Sequence, residues 1–140
     1  MANVILVGVD GSDSSRRAAR RAAELAVQLG AQLHVLTAVD RATVEEIPDR
    51  PGASHLTSGE LAEAIASDVA DELRTTVLEV TSEAITGRPA AALVDEAIRM
   101  EASLIVVGNR RVQGVSRVLG SVASSVAAHA PCDVYIVKTV

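Results

Sequence analysis

Short apolar runs alternate along this chain with segments of helical spacing, and that alternation restricts the fold more than any other feature. Val4-Ile5-Leu6-Val7-Gly8-Val9 is a continuous apolar run, of a length that fits a strand buried on both faces. Asp10-Gly11-Ser12-Asp13-Ser14 follows with turn chemistry and helix-capping side chains. From Ser15 to Leu29, apolar Ala18, Ala22, Leu25, Ala26 and Leu29 recur at helical spacing, and Gly30 ends the helix. Leu33 to Val39 predicts a second strand. Thr57 and Glu60 have the spacing of a capping box ahead of a helix reaching about Arg74. Val77 to Ile85 predicts a third strand, closed by Gly87-Arg88-Pro89, and a helix from about Ala90 to Met100 follows. Leu104 to Val107, a helix from Ser121 to His129, and a strand from Asp133 to Lys138 complete the pattern. Strand and helix alternate from end to end, with connections long enough for right-handed parallel crossovers. The expectation is one α/β domain over residues 1–140.

Composition narrows the core and the setting. Apolar residues make up 49% of the chain but aromatics only 1%, so Val, Ile, Leu and Ala must fill the interior at close range. Helices lying on a parallel sheet suit that inventory. No apolar stretch approaches the ~18 residues of a membrane span, and Met1-Ala2-Asn3 runs into a strand without signal-peptide character. A lone cysteine, Cys132, excludes an internal disulfide and fits a reducing cytoplasm. The net charge of −5 argues against general nucleic-acid binding.

The chemistry concentrates after the fourth strand pattern. Val106-Val107-Gly108 leads into a gap holding Arg110, Arg111 and Arg117 without an acidic residue, and Gly120-Ser121-Val122 opens the last helix. Glycine permits close backbone approach, and the free N–H groups of a helix start point at an anion. An ordinary connection with solvated arginines satisfies the same pattern. In open parallel sheets, ligands sit beyond the carboxyl ends of strands where the strand order reverses. There Asp10-Gly11-Ser12 and Gly108-Asn109 would converge on one crevice. Catalytic groups are sparse. His34 reads as a satisfied side chain in a strand, His55 as exposed, and His129 as a favourable helix-terminal cation. No two histidines have metal-ligand spacing, Cys132 reads as a packing residue, and Ser121 and Ser124 lack a base in sequence. Glu45, Glu46, Glu60 and Glu63 read as solvated charges.

The opening Val4–Ser12, Gly87-Arg88-Pro89, Ala102–Gly108 and Gly120–Val137 together resemble, in order, the universal stress protein family. The resemblance covers nearly the whole chain. It implies a Rossmann-like, adenine nucleotide alpha hydrolase-like fold: an open five-stranded parallel sheet in the order 3-2-1-4-5 with helices on both faces. It also implies a cytoplasmic stress-response module, usually a homodimer, regulatory rather than enzymatic. In the family's nucleotide-binding branch the ligand is ATP, with Mg2+ at the phosphates, and cyclic AMP or AMP are alternatives. Carried over residue by residue, Asp10 would meet ribose hydroxyls or a phosphate-bound metal. Val9 and Ser12 would line the pocket, and Ala38 would lie beside adenine. The phosphates would rest on Gly108, Asn109, Gly120, Ser121 and Val122.

One departure bears on that site. Arg111 stands where the branch has its middle glycine, and eight residues rather than nine separate it from Gly120. If that position needed φ > 0, arginine would cost about 1–2 kcal/mol. A blocked backbone approach would remove a further ~1.5–3 kcal/mol. Together these lower affinity by roughly sixtyfold to a few thousandfold. Against that, Arg110, Arg111 or Arg117 could bind phosphate directly, and Gly114 could take over the close approach. The alternative to a nucleotide-binding module is therefore a homodimer working through protein contacts alone. A related hydrolase or ligase lacks its catalytic motifs here. The family order puts Val134–Val137 at a sheet edge, where pairing with its copy would bury it; coverage by a helix of the same chain is the alternative. The segment from Arg41 to Ser58 is either a lid over the pocket or a disordered connection.

Overall fold

Val4–Gly8 (β1) lies at the centre of a five-stranded parallel sheet and is covered on both faces. In the computed structural model, which describes residues 3–39, 58–109 and 119–139, it is followed by Asp13–Leu29 (α1) and Gln32–Val39 (β2). Ser58–Leu73 (α2), Val80–Thr86 (β3) and Pro89–Met100 (α3) come next. Leu104–Asn109 (β4), Ser121–His129 (α4) and Asp133–Lys138 (β5) complete the chain. The strand order is β3-β2-β1-β4-β5, as the family resemblance implies. β1 pairs with β2 through Leu6 and His34 and with β4 through Leu6 and Ile105, so the order reverses at β1.

Alternation along β1 divides the core into two layers. Ile5, Val7 and Val9 pack with the alanines of α1 and with Ala66, Val69 and Leu73 of α2. Leu6 and Leu36 face the opposite way, against Leu93 and Ala97 of α3 and Val126 of α4. The small alanine face of α1 lets a helix lie close to the sheet, as an interior without aromatics requires. Gly8 serves the same end on the other face, because a Cβ there would sit 3.0 Å from Leu93 Cδ1.

Several boundaries differ from the sequence expectation. α1 begins at Asp13 rather than Ser15, because Ser12 is its N-cap. Ser15 N–H donates to Ser12 Oγ at 3.1 Å, and Ser15 Oγ donates to the Ser12 carbonyl at 3.0 Å. Replacing Ser12 with alanine is expected to lower stability by about 0.5–2 kcal/mol, read from the midpoint of urea unfolding. β3 begins at Val80, not Val77. Val77 N–H donates to the Leu73 carbonyl and closes α2 instead, with Val77 buried and Leu78 fully exposed. β4 runs on to Asn109, two residues past the apolar run. The proposed capping residue Thr57 and nearly all of the Arg41–Ser58 segment lie outside the described residues. Among those described, no helix is long and apolar enough to cross a membrane.

Candidate functional site

A crevice of about 340 Å³ opens at the carboxyl ends of β1, β2 and β4, where the strand order reverses. Its size falls in the range of small-molecule sites. Val9, Asp10, Ser12, Ala38, Gly108, Gly120, Ser121 and Val122 all line it. Asn109 does not line it but braces it: Gly120 N–H donates to Asn109 Oδ1 at 2.9 Å, tying the end of β4 to the start of α4. Arg110, Arg111, Gly114 and Arg117 lie outside the described residues.

The two helix starts at the crevice differ in how their N–H groups are used. At α1, Ser12 caps the first turn, and Ser12 N–H itself donates to Asp10 Oδ1 at 2.9 Å. Gly11 adopts φ +86° between them, a conformation that favours glycine. At α4, Gly120 is the N-cap and no side chain among the described residues caps the helix. Gly120, Ser121 and Val122, at the positive end of the α4 dipole, line the crevice. Gly120 has φ −59°, so its conformational freedom is not what this turn uses. Gly108 also has a packing role. The nearest contacts of a Cβ there would be Ser14 O, Ser14 Oγ and Thr139 Cγ2, each at 3.3 Å. Its bareness lets α1 and the chain end approach β4. Thr139 is tied in there, donating to the Asn109 carbonyl at 3.0 Å while sharing a 2.6 Å hydrogen bond with Ser14 Oγ.

Sequence reasoning missed the far wall. Leu36, Pro89 and Leu93 complete an apolar lining opposite the polar loops. The Gly87-Arg88-Pro89 motif was the available signal, since proline at the first helical position fixes where α3 starts. Other readings agree with the structure. His129 is exposed in the last turn of α4, with Nδ1 2.9 Å from the Ser125 carbonyl. Cys132 is half-buried in the α3–α4 layer, and burial pushes its thiol pKa up. His34 is buried and partnered by Thr81 and Glu83. His55, Glu45 and Glu46 lie outside the described residues.

A parallel sheet that reverses its order at β1, with a helix start and an apolar wall around the crevice at that reversal, defines a Rossmann-like α/β protein. The sequence profile of the universal stress protein family matches residues 1–138, and the chain belongs to that family. It is 35% identical over 145 residues to a universal stress protein of Thermus aquaticus, covering 99% of this chain and all of that one. A universal stress protein of Methanocaldococcus jannaschii is 32% identical, over 96% of this chain and 81% of its own. Among solved structures, a universal stress protein in complex with cAMP superposes with a TM-score of 0.76 at 31% identity, over 99% of this chain and 98% of the other.

Proposed function

We propose that this protein is a regulatory module that binds an adenine nucleotide in the crevice, with ATP the principal ligand and Mg2+ at its phosphates. The observation that carries the reading is the α4 start: a helix terminus with no side-chain cap among the described residues, lining a crevice whose other wall is apolar. The base would lie against Val9, Ala38 and Leu36, and the phosphates on the N–H groups of Ser121 and Val122. Asp10 is the one carboxylate among the described lining residues. It is placed for a ribose hydroxyl or a phosphate-bound cation. Binding rather than catalysis is favoured because Ser124 Oγ donates to the Leu119 carbonyl, at 3.5 Å, and has no base as partner among the described residues. The similar structure holding cAMP supports the adenine class and makes the cyclic monophosphate, with AMP, the alternative ligand. A cytoplasmic setting and a homodimer formed along the edge strand β5 complete the reading.

Nucleotide identification on freshly purified protein, then calorimetric titration with ATP, ADP, AMP and cAMP, tests it. The expected result is co-purified nucleotide or a dissociation constant at or below roughly 100 µM. No bound nucleotide and no heat with any of the four would overturn the reading and leave protein contacts as the function. Arg111→Gly then assigns the arginine: tighter binding shows that it obstructs, and weaker binding shows that it holds phosphate.

A further inference from the structure

Three chemistry-bearing side chains that do not line the crevice meet between β2, β3 and α3. His34 projects from β2 on the α3 side of the sheet, Glu83 comes from β3, and Glu96 from α3. One ligand atom from each lies within 4.8 Å of the others. None of the three lines the crevice. The His34 side chain is 6% exposed and that of Glu96 1%, whereas Glu83 sits at the rim at 38%.

The arrangement leaves a charge problem at its centre. Glu96 Oε2 is buried and finds no hydrogen-bond donor among the described residues. Its polar neighbour is the Glu83 carboxyl, and two carboxylates offer only acceptors unless a proton stands between them. Such a proton would belong to Glu83, which hydrogen bonding to Glu96 and then burial hold above the usual carboxylate range. Burial works to raise Glu96 as well, but its bonds with Glu83 and Arg99 outweigh this and hold it low. The Arg99 guanidinium answers part of the charge, bonding Glu96 Oε1 through Nε and lying 3.5 Å from Glu83 Oε2 through Nη2. Its side chain is 65% exposed, so it can withdraw to solvent when another cation takes its place.

We propose that His34 Nε2, Glu83 and Glu96 form a binding site for a divalent transition-metal ion, with Zn2+ the type case. One imidazole nitrogen and two carboxylates are a donor set that zinc accepts, and three protein ligands leave a fourth position for water. An imidazole in the set favours zinc over magnesium or calcium, which take oxygen. Thr81 supplies the orienting partner behind the histidine, with Oγ1 2.6 Å from Nδ1. A hydroxyl can donate or accept. In the metal-free state Thr81 donates to Nδ1, and Nε2–H donates to Glu83 Oε2 at 3.2 Å. In the metal-bound state Nδ1–H donates to Thr81 and Nε2 offers its lone pair. Burial lowers the His34 pKa, which keeps the ring neutral, as a ligand must be. The ion would fasten the edge strand β3 to α3, the helix whose first turn walls the crevice.

The test uses the full chain without a histidine tag, stripped with chelator, and zinc titrated in competition with a chromophoric chelator. The expected result is one equivalent bound with a dissociation constant at or below roughly 10 µM. His34→Gln and Glu83→Gln should each weaken binding at least about tenfold. Cobalt(II) should give visible absorption bands in the wild type that His34→Gln abolishes, while His129→Ala leaves both readouts unchanged. Glu83 is the safer variant for folding because it is half-exposed, and circular dichroism verifies each one. Absence of stoichiometric binding overturns the proposal, and so does binding unaltered by both substitutions. Neither outcome depends on nucleotide binding in the crevice.

Discussion

Replacing Ile105 with alanine is expected to lower stability by about 2–5 kcal/mol, the cost of a large-to-small change at a fully buried position. Ile105 is 0% exposed, in β4 between Leu6 of β1 and Val134 of β5. The residues around it are Leu, Val, Ala and Ile with Cys132, and no Phe or Trp occurs anywhere in the chain to swing into the void. α3 and α4 rest on this layer through Leu93, Ala97, Ala123 and Val126, so collapse of the cavity would require a helix to shift. The melting temperature should fall by roughly 6–20 °C for a domain of this size. Ile105→Val, which removes one methyl, should cost only about 0.5–1.5 kcal/mol. Ile98→Ala, at an α3 position that is 58% exposed, should stay within about 0.5 kcal/mol of wild type. Urea unfolding of the three variants decides the matter. A loss below about 1 kcal/mol at Ile105 would show that this layer is not packed as described.

What the sequence disclosed follows from which forces are local. β1 was legible because a strand buried on both faces must be apolar at every position, as Val4–Val9 is. The Ser12 cap was legible as capping chemistry, although Asp13 and Ser14 were assigned to the turn rather than to the helix that the cap begins. Val77-Leu78 misled because apolarity is not a direction: one side chain closes α2 and its neighbour points to water. The order of strands came through family resemblance, since alternation of elements does not say which strands become neighbours. At the site, the polar loops could be read because each is contiguous and rich in turn residues. Leu36 and Leu93 could not, because their place in the crevice depends on how α3 crosses the sheet. The His34–Glu83–Glu96 cluster was hidden for the same reason. Parallel register sets Leu36 beside Glu83, and helix packing then delivers Glu96 from a separate element. No spacing along the chain encodes that meeting.

Substituting Ser121 with glutamate should move stability and nucleotide affinity in opposite directions. Ser121 is the first residue of α4, exposed, and part of the crevice lining. A carboxylate in the first turn of a helix interacts favourably with the dipole, and the gain is about 0.3–1 kcal/mol. Because no side chain among those described now caps α4, the new carboxylate meets N–H groups that have no such partner. Those are the groups assigned to the nucleotide phosphates, so the glutamate would compete for them and repel the ligand. Losing one charge-assisted hydrogen bond, about 1.5–3 kcal/mol, weakens binding by roughly 10- to 150-fold, and like-charge repulsion adds to that. Ser121→Ala removes the hydroxyl without adding charge and should change affinity far less. Thermal unfolding and calorimetry on the same samples give both signs. A higher melting temperature with affinity lost places the phosphates at the start of α4. A higher melting temperature with affinity unchanged moves them elsewhere in the crevice. A lower one shows that the start of α4 is not open to a carboxylate, and the crevice as drawn would be wrong.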